Sequence, residues 1–164
     1  EGIALVRDSL EGAVALAGEH HAEAVHHRSN MLLASMMGAT AFQKGLGVTH
    51  SCAHALSTIC DTHHGLANAV MIESCMRFNL GTEPERFLRM ARVIDPMARS
   101  GADFVDWLAA LNARIGIPAG LDALGVPADA DEALVAVAEL DACHPLNPRP
   151  VTRADFFDLY AAAR

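Results

Sequence analysis

Basic residues are scarce in this chain. Its 164 residues carry 12 lysines and arginines, with Lys44 the sole lysine, against 20 acids, for a formal net charge of −8. Phosphate recognition needs a clustered basic surface, so nucleic acid is excluded as a partner; otherwise moderate acidity serves solubility. Long apolar runs are missing too. The longest, such as Met31-Leu32-Leu33-Ala34, fall well short of the about 18–20 residues that a membrane-spanning helix needs, which excludes a membrane partner. The four cysteines, Cys52, Cys60, Cys75 and Cys143, form no CxxC pair and follow no secretory leader. They read as free thiols in a reducing cytoplasm, three of them small core residues, and not as a disulfide framework. Neither a Walker loop nor a GxGxxG turn occurs, so nothing here grips a nucleotide phosphate unaided. No run shows the alternation of a strand.

Apolar residues make up 52% of the chain, and the length suits one domain with a core of its own. Their spacing predicts an all-α bundle of seven or eight helices over residues 1–164. An amphipathic helix runs over 2–18, with Ile3, Val6, Leu10, Val14 and Ala17 as its stripe. A long helix follows over 22–43. Its second half, Met31 to Phe42, is uncharged all round, the pattern of a helix buried on every side. Further helices are predicted over 48–59 and 66–79, from about Thr82 to Ile94, and over 102–115, 131–140 and 153–163. Thr82, Asp129 and Thr152 are the expected caps. The chain begins at Glu1, inside the first helical pattern, and so reads as a fragment or a processed chain.

The densest chemistry lies in the short stretch between these helices. His50 and His54 are four apart, so one helix face carries both imidazoles, with Cβ atoms roughly 5–6 Å apart. His64 follows ten residues later, before Gly65 at an expected helix start, where the turn can swing it onto the same face. Imidazoles amid small and apolar residues need partners. Two readings stand: a metal or catalytic site, or hydrogen-bonded core histidines. Zinc and iron both accept imidazole, yet open catalytic sites take three or four protein ligands. Asp61 and Glu73 are the only acids between Glu23 and Glu83, so the donor set looks incomplete. His20, His21, His26 and His27 sit among Glu19 and Glu23 and read as a solvated face. Met31, Met36, Met37, Met71 and Met76 read as core filler.

The stretch from Gly45 through His50 and His54 to Ser57, with His64-Gly65-Leu66-Ala67-Asn68-Ala69, Arg77-Phe78-Asn79 and Asn147-Pro148-Arg149-Pro150-Val151-Thr152, resembles the iron-containing (group III) alcohol dehydrogenases. The resemblance covers essentially the whole chain. It implies the all-helical C-terminal domain of a dehydroquinate synthase-like fold, whose N-terminal α/β dinucleotide-binding domain is absent from this chain. It also implies an NAD- or NADP-linked dehydrogenase with a divalent metal, Fe2+ or Zn2+, held by an aspartate and three histidines. His50 and His64 match the last two ligands. His54 matches the histidine beside the nicotinamide and substrate, a catalytic and cofactor-binding position. Cys143 matches a residue of the substrate pocket. A small alcohol or aldehyde substrate, a homo-oligomer and a cytoplasmic location follow from the same resemblance. Maleylacetate reductase and polyol dehydrogenase activities are rivals within the family. A helical metal-binding or interaction module without catalysis is the rival outside it.

Overall fold

Helical spacing translates into eight α-helices and no strand. The computed structural model describes residues 1–164 throughout: α1 (Gly2–Ala15), α2 (Ala22–Ala41), α3 (Val48–Cys60), α4 (His64–Leu80), α5 (Pro84–Ile94), α6 (Ala102–Arg114), α7 (Asp131–Leu140) and α8 (Arg153–Ala162). Short 3-10 turns lie at Phe42–Lys44, Ala128–Ala130 and His144–Leu146. No helix is long and apolar enough to cross a membrane. The chain divides into two compact units, Glu1–Lys44 with Glu85–Ile115 and Gly45–Pro84 with Gly116–Arg164.

In the first unit, α1 packs along α2. The Ser9 hydroxyl, buried in α1, accepts a 2.9 Å hydrogen bond from the Asn30 amide of α2. The His27 ring lies directly over Gly12, where an added Cβ would come within 2.5 Å of it. His27 therefore belongs to the helix contact and not to the solvated face expected for it, because glycine leaves a ring-sized gap there. A second expectation also fails. The uncharged second half of α2 is not buried on every side: Leu32 is 73% exposed, and Leu33, Met36 and Phe42 are exposed with it. Only Ala34 in that stretch is buried. Met36 is accordingly not core filler.

The second unit is built around α3. Val48, Cys52, Ala55 and Leu56 recur at helical spacing and are fully buried. Small residues on α3 let α4 and α7 pack against it. Met71 and Cys75 of α4, Leu134 and Val135 of α7, and Phe156 and Tyr160 of α8 complete the core. The Tyr160 hydroxyl donates to the Cys52 carbonyl at 3.2 Å, which satisfies a buried polar group. The start of α8 is closed by a capping box: Thr152 accepts from the Asp155 amide, and the Asp155 carboxylate accepts from the Thr152 amide at 2.8 Å. The α7 start differs from expectation. Its N-cap is Ala130, without a side-chain cap bond, and Asp129 falls within the preceding 3-10 turn.

Candidate metal and catalytic centre

The turn between α3 and α4 decides where the histidines meet. Only Asp61, Thr62 and His63 separate the two helices. Asp61 takes the left-handed conformation, φ 51°, which ends α3 and reverses the chain. Aspartate tolerates that region better than most residues. Helix α4 starts two residues earlier than its apolar pattern suggests, so His64 is its first residue and lies beside α3. The rings of His50, His54 and His64 then converge. Their centroids are 5.9 Å apart for His50 and His54, 5.6 Å for His50 and His64, and 5.2 Å for His54 and His64.

Burial and the two neighbouring imidazoles push the His50 pKa down. The ring is therefore neutral near pH 7 and offers a lone pair instead of a proton. The donor chemistry of the cluster fits a divalent first-row metal ion, since imidazole nitrogen suits zinc and iron alike. Each of His50, His54 and His64 could supply a ring nitrogen to such an ion. Asn68, one turn along α4, donates 2.9 Å to the His64 carbonyl and sits 3.1 Å from that ring's Nε2.

A carboxylate from far along the chain reaches His54. Asp141, which ends α7, accepts from the Ser51 hydroxyl at 2.7 Å and lies 2.8 Å from His54 Nδ1. Its first oxygen also accepts from the Cys143 amide at 2.8 Å. Partial burial raises its pKa, but the hydrogen bonds from Ser51, His54 and Cys143 outweigh that and hold the carboxyl well below its ordinary range. Ser51 in turn accepts from the His144 amide at 2.9 Å. Cys143 lies beside this group: one donor atom each from His54, Asp141 and Cys143 fall within 4.8 Å of one another. Burial, then the Asp141 carboxylate, pushes the Cys143 thiol up to about 11.

A second polar knot holds the loop that carries these groups. Asn147, in the proline-rich segment, and Asn79, near the end of α4, pair through both amides at 3.0 and 2.7 Å. The same Asn147 oxygen accepts from the Val48 amide at 3.3 Å, which serves the otherwise uncapped start of α3. Loop and helix start approach so closely that side chains are barred there. A Cβ on Gly47 would lie 2.8 Å from the Asn147 oxygen, and one on Gly45, which has φ 96°, would lie 2.6 Å from Leu146. Arg149 lies 3.8 Å over the Phe78 ring and donates to its carbonyl.

Asp141 is the residue that reading the sequence passes over, while Ser51, Asn79 and Asn147 figure there only within the motifs of the resemblance, with no partner assigned. The separations are 87 residues for Asp141 to His54 and 68 for Asn147 to Asn79, and no helical periodicity encodes such pairs.

Known proteins resemble this chain over most or all of its length. The sequence model of the Fe-containing alcohol dehydrogenase family, C-terminal, matches residues 1–164. The 4-hydroxybutyrate dehydrogenase of Cupriavidus necator is 37% identical over 138 residues, 79% of this chain and 36% of that protein. The NAD-dependent methanol dehydrogenase of Bacillus methanolicus is 30% identical over 162 residues, 94% of this chain and 41% of that protein. Among solved structures, a 1,3-propanediol oxidoreductase superposes with a TM-score of 0.92 at 29% identity, over 99% of this chain and 43% of that one. The chain thus spans less than half the length of these relatives.

Proposed function

Because this chain belongs to the Fe-containing alcohol dehydrogenase family, we propose that it forms the metal-binding half of an NAD- or NADP-linked dehydrogenase acting on a small primary alcohol or its aldehyde. The convergence of His50, His54 and His64 at the α3–α4 turn is the observation that carries this reading. The names of three relatives support the substrate class, since 4-hydroxybutyrate, 1,3-propanediol and methanol are all primary alcohols. When bound, Fe2+ or Zn2+ would supply Lewis acidity toward the alcohol oxygen, and NAD or NADP would supply the hydride acceptor.

The chain's own residues then have distinct roles. His50 and His64 would donate imidazole nitrogens to the metal. His54, with its Nδ1 side held by Asp141, accepts a proton at its other nitrogen. Its side chain is 38% exposed, so that proton has a way out to water. The Asp141 charge stabilises the imidazolium that forms. Cys143, a neutral thiol near pH 7, borders the substrate without competing as a nucleophile. A homo-oligomeric assembly belongs to the same reading and is supported by the exposed apolar side chains of α2.

A second donor set is compact enough to be weighed, namely His54, Asp141 and Cys143. It is the poorer choice, because His54 and Asp141 are already bonded to each other and the Cys143 thiol keeps its proton. The test of the proposal is turnover by the intact protein, loaded with iron or zinc, with NAD or NADP and the three alcohols. Reduction of the nicotinamide that is lost on chelation and restored by metal supports it. Absence of turnover with every alcohol and both metals would contradict it.

A further inference from the structure

We propose that Asp141 is a positioning residue that fixes His54 as its Nδ1–H tautomer, and thereby leaves Nε2 as the nitrogen that carries the lone pair. The inference rests on the reading of His54 as the proton acceptor.

The hydrogen-bond directions around Asp141 carry the argument. Its first oxygen faces donors only. The Cys143 amide can do nothing but donate, at 2.8 Å. The Ser51 hydroxyl already accepts from the His144 amide at 2.9 Å, and its own hydrogen goes to Asp141 at 2.7 Å. The second oxygen faces His54 Nδ1 at 2.8 Å. A carboxylate has no proton to give, so Nδ1 must supply the one between them. In the neutral ring Nε2 is then the acceptor. The carboxylate stays charged, because the same bonds hold its pKa below the ordinary range.

The arrangement also dictates what an amide in that place would do. In Asp141→Asn the amide oxygen must turn toward Ser51 and the Cys143 amide, since an NH2 group there would face two donors. The NH2 group is then left facing His54 Nδ1 and donates to it. The imidazole proton moves to Nε2, and the ring presents a proton where it had presented a lone pair. The side chain keeps its shape and its bonds to Ser51, the Cys143 amide and His54, so the fold is preserved while the tautomer is reversed.

The experiment uses the intact, zinc-loaded protein with 15N-labelled histidine. Long-range 1H–15N correlations report the His54 tautomer, with the resonance assigned by its loss in His54→Ala. The wild type is expected to show Nδ1–H and Asp141→Asn to show Nε2–H. With it, kcat falls roughly 10²–10⁴-fold, while KM stays within about threefold and zinc content is unchanged. Ser51→Ala, which removes one of the donors that hold the carboxylate, keeps the Nδ1–H pattern and lowers kcat by no more than about tenfold. Asp141 does not position His54 if the wild type shows Nε2–H, if Asp141→Asn keeps Nδ1–H, or if the tautomer reverses with kcat unchanged. Failure of the functional reading has a different signature, full turnover by His54→Ala, and the tautomer pattern decides the Asp141 assignment independently of it.

Discussion

Replacing Asn147 by alanine isolates the knot that fastens the C-terminal loop to α3 and α4. The Asn147 amide makes four hydrogen bonds: from the Val48 amide at 3.3 Å, from Asn79 at 3.0 Å, to Asn79 at 2.7 Å and to the Arg149 carbonyl at 2.7 Å. Both asparagines are 9% exposed, so water replaces these bonds poorly. A typical hydrogen bond contributes about 0.5–1.5 kcal/mol net, and an abandoned buried partner costs about 1–3 kcal/mol. The Asn79 amide is such a partner, which puts the expected loss for Asn147→Ala at about 3 kcal/mol. In a domain of this size that corresponds to a fall in Tm of about 6–12 °C. Urea unfolding followed by far-ultraviolet circular dichroism measures the free energy, and a double-mutant cycle with Asn79→Ala measures the pairing. Coupling of about 1–3 kcal/mol is expected, because either single variant already breaks the pair. A loss below about 0.5 kcal/mol, the size of a surface substitution, would refute the reasoning, as would strict additivity.

Two further outcomes follow from the local electrostatics. Cys143, with its thiol pushed up to about 11, reacts with iodoacetamide at neutral pH about 100-fold more slowly than an ordinary free cysteine. Asp141→Asn removes the neighbouring charge and speeds that reaction; mass spectrometry of the labelled peptide over a pH series follows both, and fast neutral labelling of the wild type would contradict the assignment. Thr152→Ala, which opens the α8 capping box, lowers stability by about 1 kcal/mol at neutral pH. The Asp155 carboxyl is held below its ordinary pKa by Thr152, so its stabilisation is complete above the unfolded value near about 4 and disappears as pH falls through the folded one. The difference between Thr152→Ala and wild type in urea therefore shrinks in acid; a difference that is constant with pH would refute it.

The helices were legible because each announces itself locally. The apolar spacing of α3, with Val48, Cys52, Ala55 and Leu56 buried, and the Thr152–Asp155 capping box both act within a few residues. The site was half legible for the same reason. His50 and His54 declare a shared face by spacing, and His64 joins them across a three-residue turn. What stayed hidden depends on long-range packing. Asp141 follows α7 and is separated by 87 residues from the histidine it bonds, and the motif that contains Asn147 says nothing of its pairing with Asn79, 68 residues away. The exposure of Leu32, Leu33, Met36 and Phe42 was misjudged because an uncharged helix surface says that apolar side chains are there, not that anything in the same chain covers them. His27 was misjudged in the opposite direction: acids flank it in the sequence, while the gap it fills is made by Gly12 on another helix.

Metal analysis of three purified histidine variants of the intact protein, measured beside turnover, tests the division of roles at this centre most directly. His50→Ala and His64→Ala are expected to lose bound metal, with activity falling in step, because each removes a donor from the ion. His54→Ala is expected to keep its metal and lose rate by roughly 10²–10⁴-fold, as the loss of a proton acceptor would give. If His54→Ala is stripped of metal while His64→Ala retains it, the ion is held by the α3 pair or by the His54, Asp141 and Cys143 group, and the account given for this centre is wrong.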